Sequence, residues 1–256
     1  MELNLKDKKV LITGSSRGIG LETAKAFLEE GAKVCLVSRS KKTLEKQVEN
    51  FKTLNYEVLY KSCDIENSDN LNSLSTFIEN EWGELDILIS NVGSGASVQD
   101  PISEKEHFDS VFNLNFTSAI DVTRSLKNLI TKAKGNIVFV SSICGIDALG
   151  APTDYSVAKT ALLAFSKNLA KKYASTGIRV NSVIPGNIFF EGGTWDKKIK
   201  GNKDAVYKMI SSCVPMNKFG TTREIANSIL FLSSSVSSFT TGATLIVDGG
   251  QSNHLF

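Results

Sequence analysis

Histidine is nearly absent from this 256-residue chain, which holds only His107 and His254. A His-based metal centre is therefore not expected. Cysteine is sparse too: Cys35, Cys63, Cys144 and Cys213 stand far apart and form no C-x-x-C. They read as reduced thiols of a cytoplasmic protein, not as a disulfide framework. No apolar run approaches the ~18 residues that a membrane-spanning helix needs. The charged N-terminus MELNLKDKK runs straight into a strand-like segment, so no signal peptide is expected. Neither sign of charge is in excess, since 29 Lys+Arg against 27 Asp+Glu leave +2. That balance gives no reason to expect a nucleic-acid partner. Arginine is the scarce cation, present only as Arg17, Arg39, Arg124, Arg179 and Arg223, so the place of each one is informative.

What the chain does contain is a regular alternation. Short apolar, β-branched runs at 9–13, 34–38, 58–62, 86–90, 136–141, 179–184 and 244–247 alternate with helical periodicity at 19–30, 41–54, 69–82, 104–133, 154–175 and 223–233. Continuous apolar strands separated by helices predict an α/β fold: a doubly wound parallel sheet of seven strands, of Rossmann type, with helices on both faces. No internal repeat, low-complexity tract or Pro/Gly-rich linker divides it, so residues 1–256 are expected to form one domain. Such sheets bind ligands beyond the carboxyl ends of their strands, where strand order reverses. The chemically distinctive residues cluster just after the strands.

After the first strand comes Thr13-Gly14-Ser15-Ser16-Arg17-Gly18-Ile19-Gly20, opening into a helix. Glycines allow a tight turn and a close approach to a diphosphate, and the helix N-terminus offers free N–H groups and a positive dipole. The pattern T-G-x-x-x-G-I-G at this position resembles the short-chain dehydrogenase/reductase family in its single-domain branch, and the resemblance covers essentially the whole chain. It extends to Asp64 after the third strand, Ser90-Asn91-Val92-Gly93 after the fourth, Pro185-Gly186 after the sixth and Asp248-Gly249-Gly250 near the end. The resemblance implies a nicotinamide cofactor held by Gly14, Ser16, Arg17, Gly18, Ile19 and Gly20, with Asp64 and Ile65 at the adenine. It also implies Asn91 and Gly93 under the cofactor, and Pro185, Gly186 and Ile188 beside it. The family's usual N-N-A-G turn is altered here by Ser90 and Val92.

An NAD-specific site carries a carboxylate at the end of the second strand for the ribose 2′-hydroxyl. Here that stretch reads Leu36-Val37-Ser38-Arg39-Ser40, with no acid. A 2′-phosphate requires donors and positive charge, so Ser38 and Arg39, with Arg17 facing the same corner, point to NADP(H).

Ser142 follows the fifth strand, and Tyr155 and Lys159 lie four apart on one face of the next helix. Tyrosine is a poor acid/base with a reference pKa of roughly 10, and a nearby ammonium together with the positive nicotinamide of the oxidised cofactor is expected to lower it. Ser142 supplies a hydroxyl to polarise a substrate oxygen. By resemblance Asn115 completes the group, bending its helix and holding a water toward Lys159. Asn113 competes for that assignment. The four groups together predict hydride exchange between the nicotinamide and a carbonyl/alcohol pair. An idle NADP(H)-binding relative would have lost the Tyr or the Lys.

Residues from about 187 to 219 are expected to form a lid over the substrate. The family's Thr five positions after the proline is Phe190 here, and Thr194 is the candidate replacement. Phe189, Phe190 and Trp195 are candidate pocket walls, Cys144 a candidate substrate contact, and Lys197, Lys198, Lys200 and Lys203 candidate anion attractors against the alternative of a solvated helix face. Two small-molecule substrate classes stand: a polar, sugar-derived carbonyl, and a β-ketoacyl thioester whose carrier protein would dock on Lys132 and Lys134. The segment Ser175-Thr176-Gly177 lacks the basic residue that carrier-using relatives often show. The resemblance further implies a homo-oligomer, dimer or tetramer. The helices at 104–133 and 154–175 would pair across one two-fold axis, and the last strand and tail across another.

Overall fold

The computed structural model describes residues 2–98 and 100–253; His254 and the end of the tail lie outside the described residues. The chain begins with β1 (Lys9–Thr13), α1 (Gly18–Glu29), β2 (Lys33–Ser38), α2 (Lys41–Thr53), β3 (Val58–Ser62) and α3 (Ser68–Trp82). It continues through β4 (Ile87–Ser90), α4 (Lys105–Phe112), α5 (Ser118–Ala133), β5 (Asn136–Val140), α6 (Thr153–Tyr173) and β6 (Arg179–Pro185). The last part holds β7 (Ile188–Phe189), α7 (Thr194–Gly201), α8 (Lys203–Cys213), β8 (Gly220–Thr221), α9 (Thr222–Ser233) and β9 (Thr244–Val247).

The main sheet has seven parallel strands in the order β3-β2-β1-β4-β5-β6-β9. Each strand alternates its side chains between faces, so Val10 and Ile12 join one core layer and Leu11 the other. The first layer packs under α1, α2 and α9 through Phe27, Leu44 and Ile229. The second packs under α3, α5 and α6 through Leu74, Leu126 and Leu162. Both faces of the sheet are thus covered, which is why its central strands carry continuous apolar runs at 10–12, 87–89 and 137–140. A separate two-stranded ladder, Ile188↔Gly220 and Phe189↔Thr221, ties the two ends of the lid together.

The sequence predicts one helix over 104–133, and the structure breaks it. A π-helical turn, Asn113–Thr117, separates α4 from α5. Asn115 causes the slip. Its Nδ2 donates to the carbonyl of Val111, four residues back, at 2.9 Å, taking the acceptor that the α-helical ladder would use.

Strand order reverses between β1 and β4, and the crevice there is closed at its base by polar contacts. The Asn91 amide N–H donates to Thr13 Oγ1 at 3.0 Å, and Asn91 Nδ2 donates to the Thr13 carbonyl at 3.0 Å. The sheet therefore places the phosphate loop and the turn after β4 side by side.

Candidate active site

The first turn of α1 has the geometry to hold an anion. Its N-cap, Arg17, makes no side-chain capping bond, so the leading N–H groups of Gly18, Ile19 and Gly20 face outward. Gly14 and Gly18 sit at φ +65° and +57°, where a side chain would be strained. Gly20 is glycine for a different reason: a Cβ there would stand 2.5 Å from the Gly14 carbonyl oxygen and 2.6 Å from Asn91 Nδ2. Ser16 lies half-buried in the same loop.

At the end of β2, Ser38 Oγ is buried and has no hydrogen-bond partner among the described residues. Arg39 and Arg17 are exposed, and neither guanidinium makes an ion pair among the described residues. An orphaned hydroxyl with one unpaired guanidinium next to it in sequence and a second at the N-cap of α1 fits a phosphate monoester, and the end of β2 offers no carboxylate. Asp64 is half-buried at the end of β3 with its Oδ1 accepting from the Glu66 N–H, and Ile65 is buried behind it.

The next part of the site lies beyond β4 and β5. Asn115 is 1% exposed and fully engaged: its Nδ2 also donates to the Ser94 carbonyl at 3.1 Å, and its Oδ1 accepts from the Ser94 N–H at 2.9 Å. The competing Asn113 faces outward and donates to Glu66 Oε1. Asn115 therefore pins the turn after β4. Its amide hydrogens are spent on Ser94 and Val111.

Lys159 is 3% exposed and donates to the Val140 carbonyl at 3.2 Å. Burial lowers its amine to about 8, because the charged form loses its hydration. Gly93 makes room for it: a Cβ there would come within 2.7 Å of Lys159 Nζ and 2.8 Å of Asn115 Oδ1. The Lys159 Nζ lies 5.9 Å from the Tyr155 ring centroid, on the same face of α6.

Ser142 caps a 3-10 turn, Ile143–Gly145, by accepting from the Cys144 N–H at 3.2 Å. Its hydroxyl also interacts with the Tyr155 phenol. In the chain alone that phenol is pushed up to about 12, first by burial, with Ser142 pulling the other way. Desolvation of the phenolate dominates that shift, and the Lys159 ammonium is not among its causes. Gly145 packs the turn onto α6, where a Cβ would meet the Lys159 backbone at 2.9 Å. Cys144 is partly exposed beside Ser142, and burial raises its thiol.

On the far side, Pro185 ends β6 and the Gly186 N–H donates to the Val247 carbonyl at 3.0 Å, with Ile188 buried in β7. Phe190 reaches the phosphate loop: its ring stands 2.8–3.1 Å from where a Gly18 Cβ would be, and 2.9–3.0 Å from that of Gly193. Thr194 is exposed at the start of α7 and makes no hydrogen bond to the loop among the described residues, so it is the Phe190 ring that packs against the loop. Phe189, Trp195 and Tyr207 gather around Phe219 instead, with centroids 5.4–6.1 Å from it. All four lid lysines are exposed; Lys198 lies over Trp195 and Lys200 pairs with Asp196. Sequence reading missed Gly95, Gly145 and Asp154 as neighbours of Tyr155 and Lys159. The one signal for them was an acid placed directly before the tyrosine.

Comparison with known proteins agrees with this arrangement. The family profile described as enoyl-(acyl carrier protein) reductase matches residues 14–252. The chain is 32% identical to a 3-oxoacyl-[acyl-carrier-protein] reductase of Chlamydia pneumoniae, covering 98% of this chain and 99% of that protein. It is also 32% identical to the oxidoreductase YvrD of Bacillus subtilis, covering 98% of each. Among solved structures, L-sorbose reductase of Gluconobacter frateurii, in complex with NADPH and L-sorbose, superposes with a TM-score of 0.94 at 29% identity over 100% of both chains. Among the described residues no helix is long and apolar enough to cross a membrane. Similarity of this extent, on a sheet whose reversal point carries the residues the motifs predict, makes the chain an oxidoreductase of the short-chain dehydrogenase/reductase family.

Proposed function

We propose that the chain is an NADP(H)-dependent oxidoreductase that interconverts a carbonyl and an alcohol, working as a single cytoplasmic domain with residues 187–219 as its lid. The observation that carries this reading is the placement of Tyr155, Lys159 and Ser142 around one crevice, next to an open helix N-terminus flanked by unpaired arginines. The phosphate loop would hold the diphosphate, Arg17, Arg39 and Ser38 the 2′-phosphate, Asp64 the adenine side, and Lys159 the nicotinamide ribose. A bound nicotinamide would supply the hydride or accept it.

The chain's own residues do the rest. In reduction Ser142 holds the substrate oxygen by a hydrogen bond, and Tyr155 donates its phenolic proton to that oxygen. In oxidation Tyr155 must first lose its proton. A pKa near 12 in the chain alone opposes this, and the positive charge of the oxidised cofactor would reduce that opposition. Asn115 and Gly93 fix the floor on which Lys159 sits.

For the substrate we favour a polar, sugar-like carbonyl over a thioester on a carrier protein. The likeness to L-sorbose reductase extends over the whole of both chains. Lys132, a candidate docking cation, is already bound to the Gly83 carbonyl. The relatives that reduce 3-oxoacyl carriers keep the second reading testable. The experiment is a panel of ketoses and acetoacetyl thioesters assayed for NADPH oxidation, with NADH in parallel. Turnover of a ketose with NADPH alone is expected. Turnover of the thioester only, or equal use of NADH, refutes the corresponding part of the reading.

A further inference from the structure

The residue directly before Tyr155 is a carboxylate buried to 2% exposure, and it is held from three parts of the fold. Asp154 Oδ1 accepts from the Tyr155 N–H at 2.7 Å. Its Oδ2 accepts from Ser97 Oγ at 2.6 Å and from Ser103 Oγ at 3.3 Å, both in the loop between β4 and α4. His107 on α4 brings its Nε2 to 2.8 Å from Ser97 Oγ and 3.5 Å from the same carboxylate oxygen.

The proton inventory gives these contacts a direction. A serine hydroxyl has one hydrogen, and the ionised carboxylate is the stronger acceptor at the shorter distance. Ser97 therefore donates to Asp154 and accepts from His107 Nε2–H. The order is histidine, serine, carboxylate. In a nucleophilic triad the histidine stands in the middle and takes the serine proton. Here the serine proton is already committed to the acid, so the cluster is no hydrolytic site. It is a chain of mutually polarised bonds that ends beside the catalytic tyrosine.

Its position indicates a use. The loop from 91 to 104 is rich in glycine and serine, and its described residues, 91–98 and 100–104, have no regular structure. It is anchored twice. At Ser94 the anchor is Asn115, and at Ser97 and Ser103 it is Asp154. Between the anchors lies Gly95, whose missing Cβ would stand 3.7 Å from the Tyr155 ring. A buried carboxylate is costly unless its lone pairs are filled, and these partners fill them only while the loop is closed on α6.

We propose that Asp154 is a positioning residue: through Ser97 and His107 it latches the 94–103 loop against Tyr155, forming the wall along which the substrate carbonyl meets the phenol. The latch rests on the proposed role of Tyr155, but its mechanical part stands separately and can be read without turnover.

The test uses Ser97→Ala, which breaks the middle of the chain and spares the Asp154 bond to Tyr155, together with Asp154→Ala and Asp154→Asn. Hydrogen exchange of the 94–103 backbone is measured beside exchange of the phosphate loop, NADPH affinity, and kcat and KM for the carbonyl. Loss of a hydrogen bond to a charged acceptor predicts loop exchange faster by about tenfold or more in Ser97→Ala. Phosphate-loop exchange and NADPH affinity should stay unchanged, and KM should rise more than kcat falls. Asp154→Ala should show the same pattern more strongly, with kcat also reduced, and Asp154→Asn should recover part of it by restoring an oxygen to the Tyr155 N–H. Should Asp154→Ala fail to fold, Ser97→Ala carries the test. Unchanged loop exchange in Ser97→Ala overturns the latch whatever the activity. Faster exchange with unchanged KM and kcat overturns the positioning role. A wild-type protein that reduces no carbonyl refutes the proposed activity, and the exchange comparison still decides the latch.

Discussion

Replacing Lys159 by methionine is expected to make the protein more stable while abolishing its function. The amine is 3% exposed, and burial lowers it from 10.5 to about 8. At roughly 1.4 kcal/mol per pH unit that difference corresponds to about 3 kcal/mol lost by folding the charged form. Methionine keeps a long unbranched stem but leaves the Val140 carbonyl without its partner, a loss of about 1 kcal/mol. The net gain near neutral pH is about 2 kcal/mol, or a thermal midpoint about 4–8 °C higher for a chain of this size.

The sign can be checked through pH. Below the folded pKa of about 8, both states are protonated and the native state carries the whole cost. Between about 8 and 10.5 the native amine sheds its proton while the unfolded one keeps it, so wild-type stability rises relative to the variant. The advantage of Lys159→Met should therefore shrink through that window. The assay is thermal unfolding of both proteins at one concentration and scan rate, followed by tryptophan fluorescence across the window. A variant less stable near neutral pH, or an advantage that does not change with pH, would refute the claim that burial of charge dominates at this residue.

Tyr155→Phe keeps the ring against Gly95 and removes only the proton donor, so turnover should fall by about 10²–10⁴-fold with NADPH affinity nearly intact. Single-turnover hydride transfer at the wild-type rate would dismiss Tyr155 as the acid. Arg39→Ala should weaken NADPH binding by about 10–100-fold, the equivalent of about 1.5–3 kcal/mol, and leave NADH affinity unchanged. Calorimetry with both cofactors checks it, and an equal loss for the two would remove the 2′-phosphate from the argument. Gly20→Ala forces a Cβ to within 2.5 Å of the Gly14 carbonyl oxygen, so the phosphate loop must shift. Lost cofactor affinity and a destabilisation of about 1–3 kcal/mol are expected, and a variant of wild-type stability that still binds NADPH normally would contradict the packing.

The seven strands and the helices flanking them were legible because each buries apolar residues at its own period, and that pattern is local. Ser142, Tyr155 and Lys159 were legible because a helix fixes the direction of side chains four apart. Spacing after a strand also fixes which end of the sheet a residue occupies. The absence of an acid at Ser38-Arg39 could likewise be read directly. Other features depended on long-range packing. The π turn at Asn113–Thr117 arises because Asn115 bonds Ser94, twenty-one residues away, and takes the Val111 carbonyl on the way. Phe190 meets Gly18 only because the β7–β8 ladder draws the lid back over α1.

The sequence by itself determined the architecture, the glycine-rich turn after β1 and the placing of Tyr155 and Lys159 on one face of a helix, since these depend on period, spacing and residue type. Only the tertiary structure decided which asparagine turns inward, which lid residue packs on the loop after β1, how far burial displaces Lys159 and Tyr155, and that Asp154 closes a chain through Ser97 to His107. Those depend on distances between segments far apart in the chain and on the exclusion of water, and no local pattern encodes either.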